Sequence, residues 1–428
     1  MKGIAMTTNP TPITTQSADG QPRRFDTVIV GGGIAGAALA IGLARAGRGV
    51  LVLESTDVFR DRVRGESMMP WGVAEAQTLG VADVLTAAGG HTAPLWKRYS
   101  EGDPVARDLP VGRMIPGVGG SLNLHHPVAC QALLDAAAAA GATVLRSVTN
   151  VAVACGPNPV VSYRVGGTPQ QVSALLVVGA DGRNSAVRRS AGIVLKQQDA
   201  TACISGILLD GVAGPQDHDV VMEHDQGVCL LIQQGGGRAR AYHIVPMAQR
   251  ARYAGVGGAA HFLADARLPG SELVAALAQA RPVGPCGAIP GTDTWTERPY
   301  AQGVVLIGDA AGHNDPSVGC GLSIAMRDAR TVRDLVVAGA RNPEDFAPYG
   351  VERLERMRRL RLIGDLIAAA TVEPGDNRHL RRQHFAQAMA TRDADIFPLV
   401  SGMFAGPEKI PATLVNDAVL DRFRAVAA

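Results

Sequence analysis

The chain has no paired-cysteine motif. Its six cysteines, at positions 130, 155, 203, 229, 286 and 320, are scattered without a C-x-x-C. That spacing argues against a disulfide framework, a structural zinc site and a dithiol redox pair, and it fits a reducing cytoplasm. An excess of one charge is missing too. The net charge of +2 carries no nucleic-acid or membrane-surface signature. No apolar run reaches the roughly 18 residues that a membrane span needs. Residues 1–24 are rich in Thr, Pro, Ser and Gln and lack an apolar core segment, so they read as a disordered tail rather than a secretory signal. What remains is a globular chain of 428 residues, long enough for two or three domains.

The most informative stretch is Thr27 to Arg45. Val28, Ile29 and Val30 form a short β-branched run, as in a buried strand. Gly31, Gly33 and Gly36 follow in G-x-G-x-x-G spacing, and an Ala-rich helical segment opens behind them. A second apolar strand, Val50 to Leu53, ends on Glu54. Each type has a job in dinucleotide binding. Gly31 permits a tight turn, Gly33 lets backbone approach a pyrophosphate, and Gly36 lets helix pack on strand. The helix N-terminus offers unpaired N–H groups and a partial positive charge. Glu54 accepts from ribose hydroxyls. The motif alone does not separate FAD from NAD.

Two further strand ends share this character. Ala174 to Val178 is fully apolar and runs into Gly179-Ala180-Asp181-Gly182, then Ser185, Val187 and Arg188. A ligand site and an ordinary Asp helix cap both fit that pattern. Val304 to Ile307 ends at Gly308-Asp309, and a loop with Pro316, Gly319 and Gly321 leads into a helix over Leu322 to Val337. His313 and Asp315 in this loop read as turn-formers before acid and base. Cys320, flanked by glycines, is expected to be exposed.

Other stretches read more plainly. The loop Arg64-Gly65-Glu66-Ser67 fits either a solvated ion pair or a segment lying over a ligand. His125-His126 precedes a helix over Val128 to Ala140 and suits a loop or cap role better than metal. Residues 97–124 and 202–290 alternate strand-like text with turns, as in an antiparallel sheet. Gly235-Gly236-Gly237 lacks the setting of a second dinucleotide fold. Arg353, Arg356, Arg358, Arg359 and Arg361 alternate with apolar residues, which predicts an amphipathic, solvated helix.

With three motifs standing in one order, the chain resembles the single-component FAD-dependent monooxygenases of the para-hydroxybenzoate hydroxylase fold (group A flavin monooxygenases), from about Phe25 to Val337. The resemblance implies an α/β protein. A discontinuous Rossmann-like FAD-binding domain (25–95, 125–195, 291–345) would interleave with an antiparallel substrate-binding β domain (96–124, 196–290), followed by a helical C-terminal region (346–428). It implies FAD held by Gly31, Gly33, Ile34, Ala35, Gly36, Glu54, Ser55, Arg64, Asp181, Gly182, Asp309, Pro316, Gly319, Gly321, Leu322 and Ser323. Asp309 takes the ribityl chain, and Pro316, Leu322 and Ser323 support the flavin ring. Cys130 stands where the family often has a phosphate-binding Arg, and Gln131 is the expected substitute. Cys320 replaces a frequent Gln. No metal is expected.

The activity so implied uses NADPH or NADH and O2 to hydroxylate an aromatic ring or epoxidise an alkene through a flavin C4a-hydroperoxide. The expected partners are a small, largely apolar substrate and O2, without nucleic acid or membrane, in a monomer or homodimer. The alternatives are a flavin-dependent halogenase, a flavin reductase of isoprenoid double bonds, and a FAD-binding protein without turnover. For the halogenase, Gly287-Ala288-Ile289-Pro290 lacks the tryptophans of the family's Trp-x-Trp-x-Ile-Pro stretch. The substrate would face Cys203 to Leu209, Val221 to Leu231 and Arg240 to Val245. His224, Tyr242 and His243 are candidate polar anchors there, each also readable as structural.

Overall fold

A computed structural model describes residues 22–63, 65–101, 103–255, 257–265 and 272–425. Its centre is a parallel sheet whose strands are apolar on both faces, as burial on both sides requires. Strand β1 (Arg23–Val30) carries Val28, Ile29 and Val30, all buried. It turns at Gly31 into helix α1 (Ile34–Arg45), which returns to strand β2 (Val50–Leu53). Strand β3 (Thr168–Gly179) lies on the other side of β1, and both pairings are parallel. The expected tail is therefore too long by two residues. Arg23 and Arg24 already pair with Val172 and Ser173. Residues 1–21 lie outside the described residues.

The stretch from Thr143 to Ala154 forms two strands rather than one. Thr143–Leu145 joins the edge of the parallel sheet beside β2, while Val148–Ala154 turns away into an antiparallel hairpin with Val160–Val165. Ser147, at φ 57°, makes the break.

A second sheet is mostly antiparallel. Strands β4 (Ala202–Asp210), β5 (His218–His224), β6 (Gly227–Gly235) and β7 (Arg238–Pro246) stand in the spatial order β4, β7, β6, β5. Leu95–Ser100 then adds to β5, and Asp103–Leu109 adds beyond it. Strand β8 (Val304–Leu306) returns the chain to the parallel sheet beside β3. Helix α2 (Gly321–Val337) packs on α1 through Ala325, Met326, Ala329 and Val332, all buried in one core. The fold class expected from the sequence is the one observed.

The C-terminal region supplies a second core. Helices α3 (Ala347–Thr371), α4 (Arg378–Thr391) and α5 (Phe397–Ala405) pack with the inner face of the antiparallel sheet through residues such as Leu366, Phe385, Met403 and Ile244. The solvated helix expected over Arg353 to Arg361 is instead largely buried, with Arg353 at 1% and Arg356 at 3% exposure. Among the described residues no helix is long and apolar enough to cross a membrane.

Candidate functional site

Three strand ends meet at one cavity of about 1570 Å³, lined by Gly31 and Gly33 after β1, Asp181 and Gly182 after β3, and Asp309 after β8. It exceeds the roughly 300–1,000 Å³ of a site for one drug-sized ligand, so it has room for more than one molecule.

The first strand end is built for close backbone approach. Gly31 has φ +103°, and a Cβ there would stand 2.3 Å from the Ala180 carbonyl oxygen, so only glycine lets the first and second motifs touch. A Cβ on Gly36 would fall 1.9 Å from the Gly31 oxygen. Gly36 thus serves helix packing and does not line the cavity. A Cβ on Gly33 would meet nothing within 4 Å. Gly33 caps α1 without any side-chain cap, so the first N–H groups of that helix are left to face the cavity. Ile34 and Ala35 line it with them.

Glu54 closes one end. Its Oε2 accepts from the Gly32 N–H at 2.7 Å, and its Oε1 accepts from the N–H and hydroxyl of Thr56 at 2.7 and 2.8 Å. A carboxylate offers about four lone pairs. Oε2 therefore keeps one for a ribose hydroxyl, and Ser55 lines the cavity beside it. A cradle that a Cβ would fill, an uncapped helix start and an oriented acid together fit a dinucleotide with pyrophosphate and ribose.

The second strand end reads as both a cap and a wall. Asp181 accepts from the Ser185 hydroxyl and from the N–H groups of Ala186 and Val187, so the cap is real. Arg188 donates to the Ala310 carbonyl and ties this motif to the third. There, Asp309 accepts from Arg183 at 3.3 Å and stays 42% exposed toward the cavity. Its turn is braced from behind by Arg353, which donates to the carbonyls of Gly308, Ala311 and Gly312 and to Asp328. Asp328 in turn accepts from the Gly308 N–H at 2.8 Å. Nothing in the sequence around Arg353 announces this, because its carbonyl acceptors lie more than 40 residues upstream.

Pro316, Gly319, Gly321 and Leu322 line the cavity at the start of α2. Ser323 does not. Its hydroxyl is buried behind Leu322 and accepts from the Met69 N–H at 3.1 Å. Ser323→Ala is therefore expected to cost about 1–3 kcal/mol through an unpaired buried N–H while leaving FAD content unchanged, as read by denaturant melts and absorbance. Gln131 does not reach the cavity either. It donates to Asp135 and accepts from Arg146, whereas its neighbour Cys130 lines the wall. Cys320 is buried rather than exposed, and burial pushes its thiol up to about 12. Arg64 lies outside the described residues.

Glu66, from the same loop, is not a solvated ion-pair member. It is fully buried and held by Arg240 at 2.6 and 3.0 Å, while Asp61 takes the other side of that guanidinium at 2.6 Å. Burial raises the Glu66 carboxyl above its ordinary range against the pull of Arg240. The loop is thereby pinned to β7.

His313 also faces the cavity, gripped by Thr292 and Thr294 at 3.0 and 2.8 Å. Burial lowers its pKa to about 4, below the roughly 6.5 of an unfolded histidine. The unfolded chain thus binds more protons between those values, and stability falls as pH drops from about 6.5 toward 4. Relative to His313→Gln, the wild type is expected to lose on the order of 2–3 kcal/mol across that window in denaturant melts.

The far wall is apolar. Alternation along the antiparallel strands sends Ile204, Val228, Leu230, Ile232, Tyr242 and Ile244 into the cavity. Cys203, Cys229 and Val245 enter the core on the opposite face, and His224 and His243 stack there too. Of the candidate polar anchors only Tyr242 lines the cavity. The C-terminal helices close the end with Ile367, Phe385, Met389 and Phe404, a contribution the sequence did not reveal. One polar spot on this wall is the Arg98–Glu223 pair at 2.5 Å, with Arg98 also stacked on Phe385.

Comparison with known proteins agrees with this geometry. Residues 24–361 match the family model described as FAD binding domain. The chain belongs to this family of FAD-binding domains. Its cofactor is FAD. Among curated proteins it is 26% identical to squalene monooxygenase SE2 of Panax ginseng over 318 residues, 73% of this chain and 58% of that protein. The chain thus spans less than two thirds of that relative. A shorter match, 44% identical over 68 residues, is to menaquinone reductase of Mycolicibacterium smegmatis, covering 16% of this chain and 17% of that protein. Among solved structures, a flavin-dependent brominase superposes with a TM-score of 0.74 at 19% identity, over 94% of this chain and all of that one. Anhydrotetracycline hydroxylase from Streptomyces rimosus superposes at 0.68 and 20% identity, over 89% and 76%. These two share the fold.

Proposed function

We propose that the chain is an FAD-dependent monooxygenase that uses NADPH or NADH and O2 to hydroxylate or epoxidise a largely apolar aromatic or alkene substrate. One observation carries this reading. The cavity that starts at the three strand ends continues, without a partition, to the apolar wall of β4, β6 and β7.

In this reading FAD supplies the redox chemistry and oxygen activation. The protein's residues position it. Gly31, Gly33 and the start of α1 receive the pyrophosphate, Glu54 and Ser55 the ribose, and Asp309 the ribityl hydroxyls. The first N–H groups of α2, beside Gly321 and Leu322, place positive potential where the reduced ring carries negative charge. Ile204, Leu230, Ile244 and Phe404 exclude water from the end where substrate sits, and Tyr242 lines the same end. Six free cysteines are consistent with work in a reducing cytoplasm.

The 44% match to menaquinone reductase favours a second reading, reduction of an isoprenoid double bond without oxygen. Oxygen uptake separates the two. With NADPH or NADH and a panel of apolar aromatic and alkene compounds, a monooxygenase shows substrate-stimulated O2 consumption. Product formed anaerobically at an undiminished rate overturns the monooxygenase reading.

A further inference from the structure

On the reverse face of the antiparallel sheet, away from the cavity, three ligand-type side chains converge. Cys229 on β6 and His243 on β7 are direct cross-strand partners, and His224 ends the adjacent β5. His224 Nε2 lies 3.2 Å from His243 Nε2 and 3.5 Å from Cys229 Sγ. All three ligand atoms fall within 4.8 Å of one another, and all three residues are buried. We propose that His224, Cys229 and His243 form a binding site for a thiophilic d10 metal ion, Zn2+ or Cu+.

The spacing argues for it. Bonds of about 2.0–2.1 Å to nitrogen and about 2.3 Å to sulfur, around a tetrahedral or trigonal centre, set nitrogens roughly 3.3–3.6 Å apart and nitrogen from sulfur roughly 3.6–3.8 Å. The two observed separations fall about 0.1 Å short of those ranges, and the third pair, His243 and Cys229, lies within 4.8 Å. Thiolate and imidazole are the donors that soft d10 ions select. Three protein ligands satisfy trigonal Cu+ and leave Zn2+ one open position.

The proton inventory is consistent. Burial lowers the pKa of His224 and holds His243 at about 3, so both rings are neutral, the form that ligates. Nδ1 of His243 is buried without a partner among the described residues, so the polar fastening of this ring lies at Nε2, the edge turned to the other two. Nδ1 of His224 accepts from the Gln226 N–H at 3.3 Å and stands 3.8 Å from the Asp225 carboxylate. With Nε2 of His224 on the metal, its proton is carried on Nδ1 after exchange with solvent; the Gln226 N–H gives up its bond there, and the Asp225 carboxylate is the outer-shell acceptor. Burial keeps Cys229 a thiol, so binding also releases that one proton to solvent. No residue is oxidised or reduced. The ion would clip β5, β6 and β7 together behind the substrate wall. The 5- and 14-residue gaps separating these residues match no ligand spacing that a motif scan would flag.

The test uses full-length protein produced in media enriched in Zn2+, Co2+ or copper and purified with FAD bound. Elemental mass spectrometry is expected to find about one equivalent of zinc or copper per chain. The cobalt form is expected to show a thiolate-to-metal charge-transfer band. Cys229→Ser and His243→Gln should each lower metal content at least about tenfold and remove the band, while Cys155→Ser, at an exposed site, keeps both. Retained FAD absorbance reports that each variant is folded. Less than half an equivalent in every medium, or equal content in Cys229→Ser, overturns the proposal. The outcome is independent of the monooxygenase reading.

Discussion

Gly33→Val is expected to purify folded but colourless, whereas Gly36→Val, three residues on, should fail to fold stably. The two glycines belong to one motif and differ in what surrounds them. Gly33 has φ −72° and ψ −167°, an extended conformation open to any residue, and a Cβ there enters empty space inside the cavity. Valine should leave the melting temperature nearly unchanged and fill the approach to the pyrophosphate. A rise in FAD dissociation constant of at least about 100-fold, near 2.7 kcal/mol, follows if backbone contact supplies the phosphate binding. At Gly36 the added atoms collide with the Gly31 oxygen and with Ala180 inside the protein, which costs about 3 kcal/mol. Isothermal titration with FAD and thermal melts read both outcomes. A fully yellow Gly33→Val would mean that the cofactor does not pass there.

Arg353→Met should be the most damaging substitution far from the cavity surface. The guanidinium makes its bonds with almost no exposure, to Asp328 and to three carbonyls of the turn that carries Asp309. Methionine fills part of the volume but leaves those carbonyls and part of the Asp328 charge uncompensated. Removing one partner of a buried ion pair costs about 3–5 kcal/mol. Urea melts should show that loss, and FAD affinity should fall with it because the Gly308–Gly312 turn loosens. A variant within about 0.5 kcal/mol of wild type would show that the turn holds its shape without Arg353.

The strand ends were the legible part of this molecule. Val28 to Val30, Ala174 to Val178 and Val304 to Ile307 announce buried strands by composition alone, and the Gly and Asp residues that follow are set by local backbone demands. The side of each antiparallel strand facing the cavity was not legible, because apolar residues sit on both faces and only packing sends Tyr242 to the cavity and Cys203, Cys229, His224 and His243 away from it. Gln131 and Ser323 illustrate another limit. Both stand one residue beyond a position that faces the cavity, and on a helix one residue turns the side chain by about 100°. Arg353 and Arg356 look like solvated charges in a helical pattern. Their buried acceptors, Asp328 and the carbonyls of the 308–312 turn, come from distant segments, and no local pattern encodes those. Glu66 is the same case, since Arg240 lies 174 positions away.

The central claim is that one cavity brings an apolar substrate to a flavin which then delivers oxygen. Turnover under isotopically labelled O2, with NADPH or NADH and the compound that most stimulates oxygen uptake, tests it most directly. The account predicts one labelled oxygen atom in each product molecule and one NAD(P)H consumed per product. A product free of label, formed while NAD(P)H is oxidised, would contradict it.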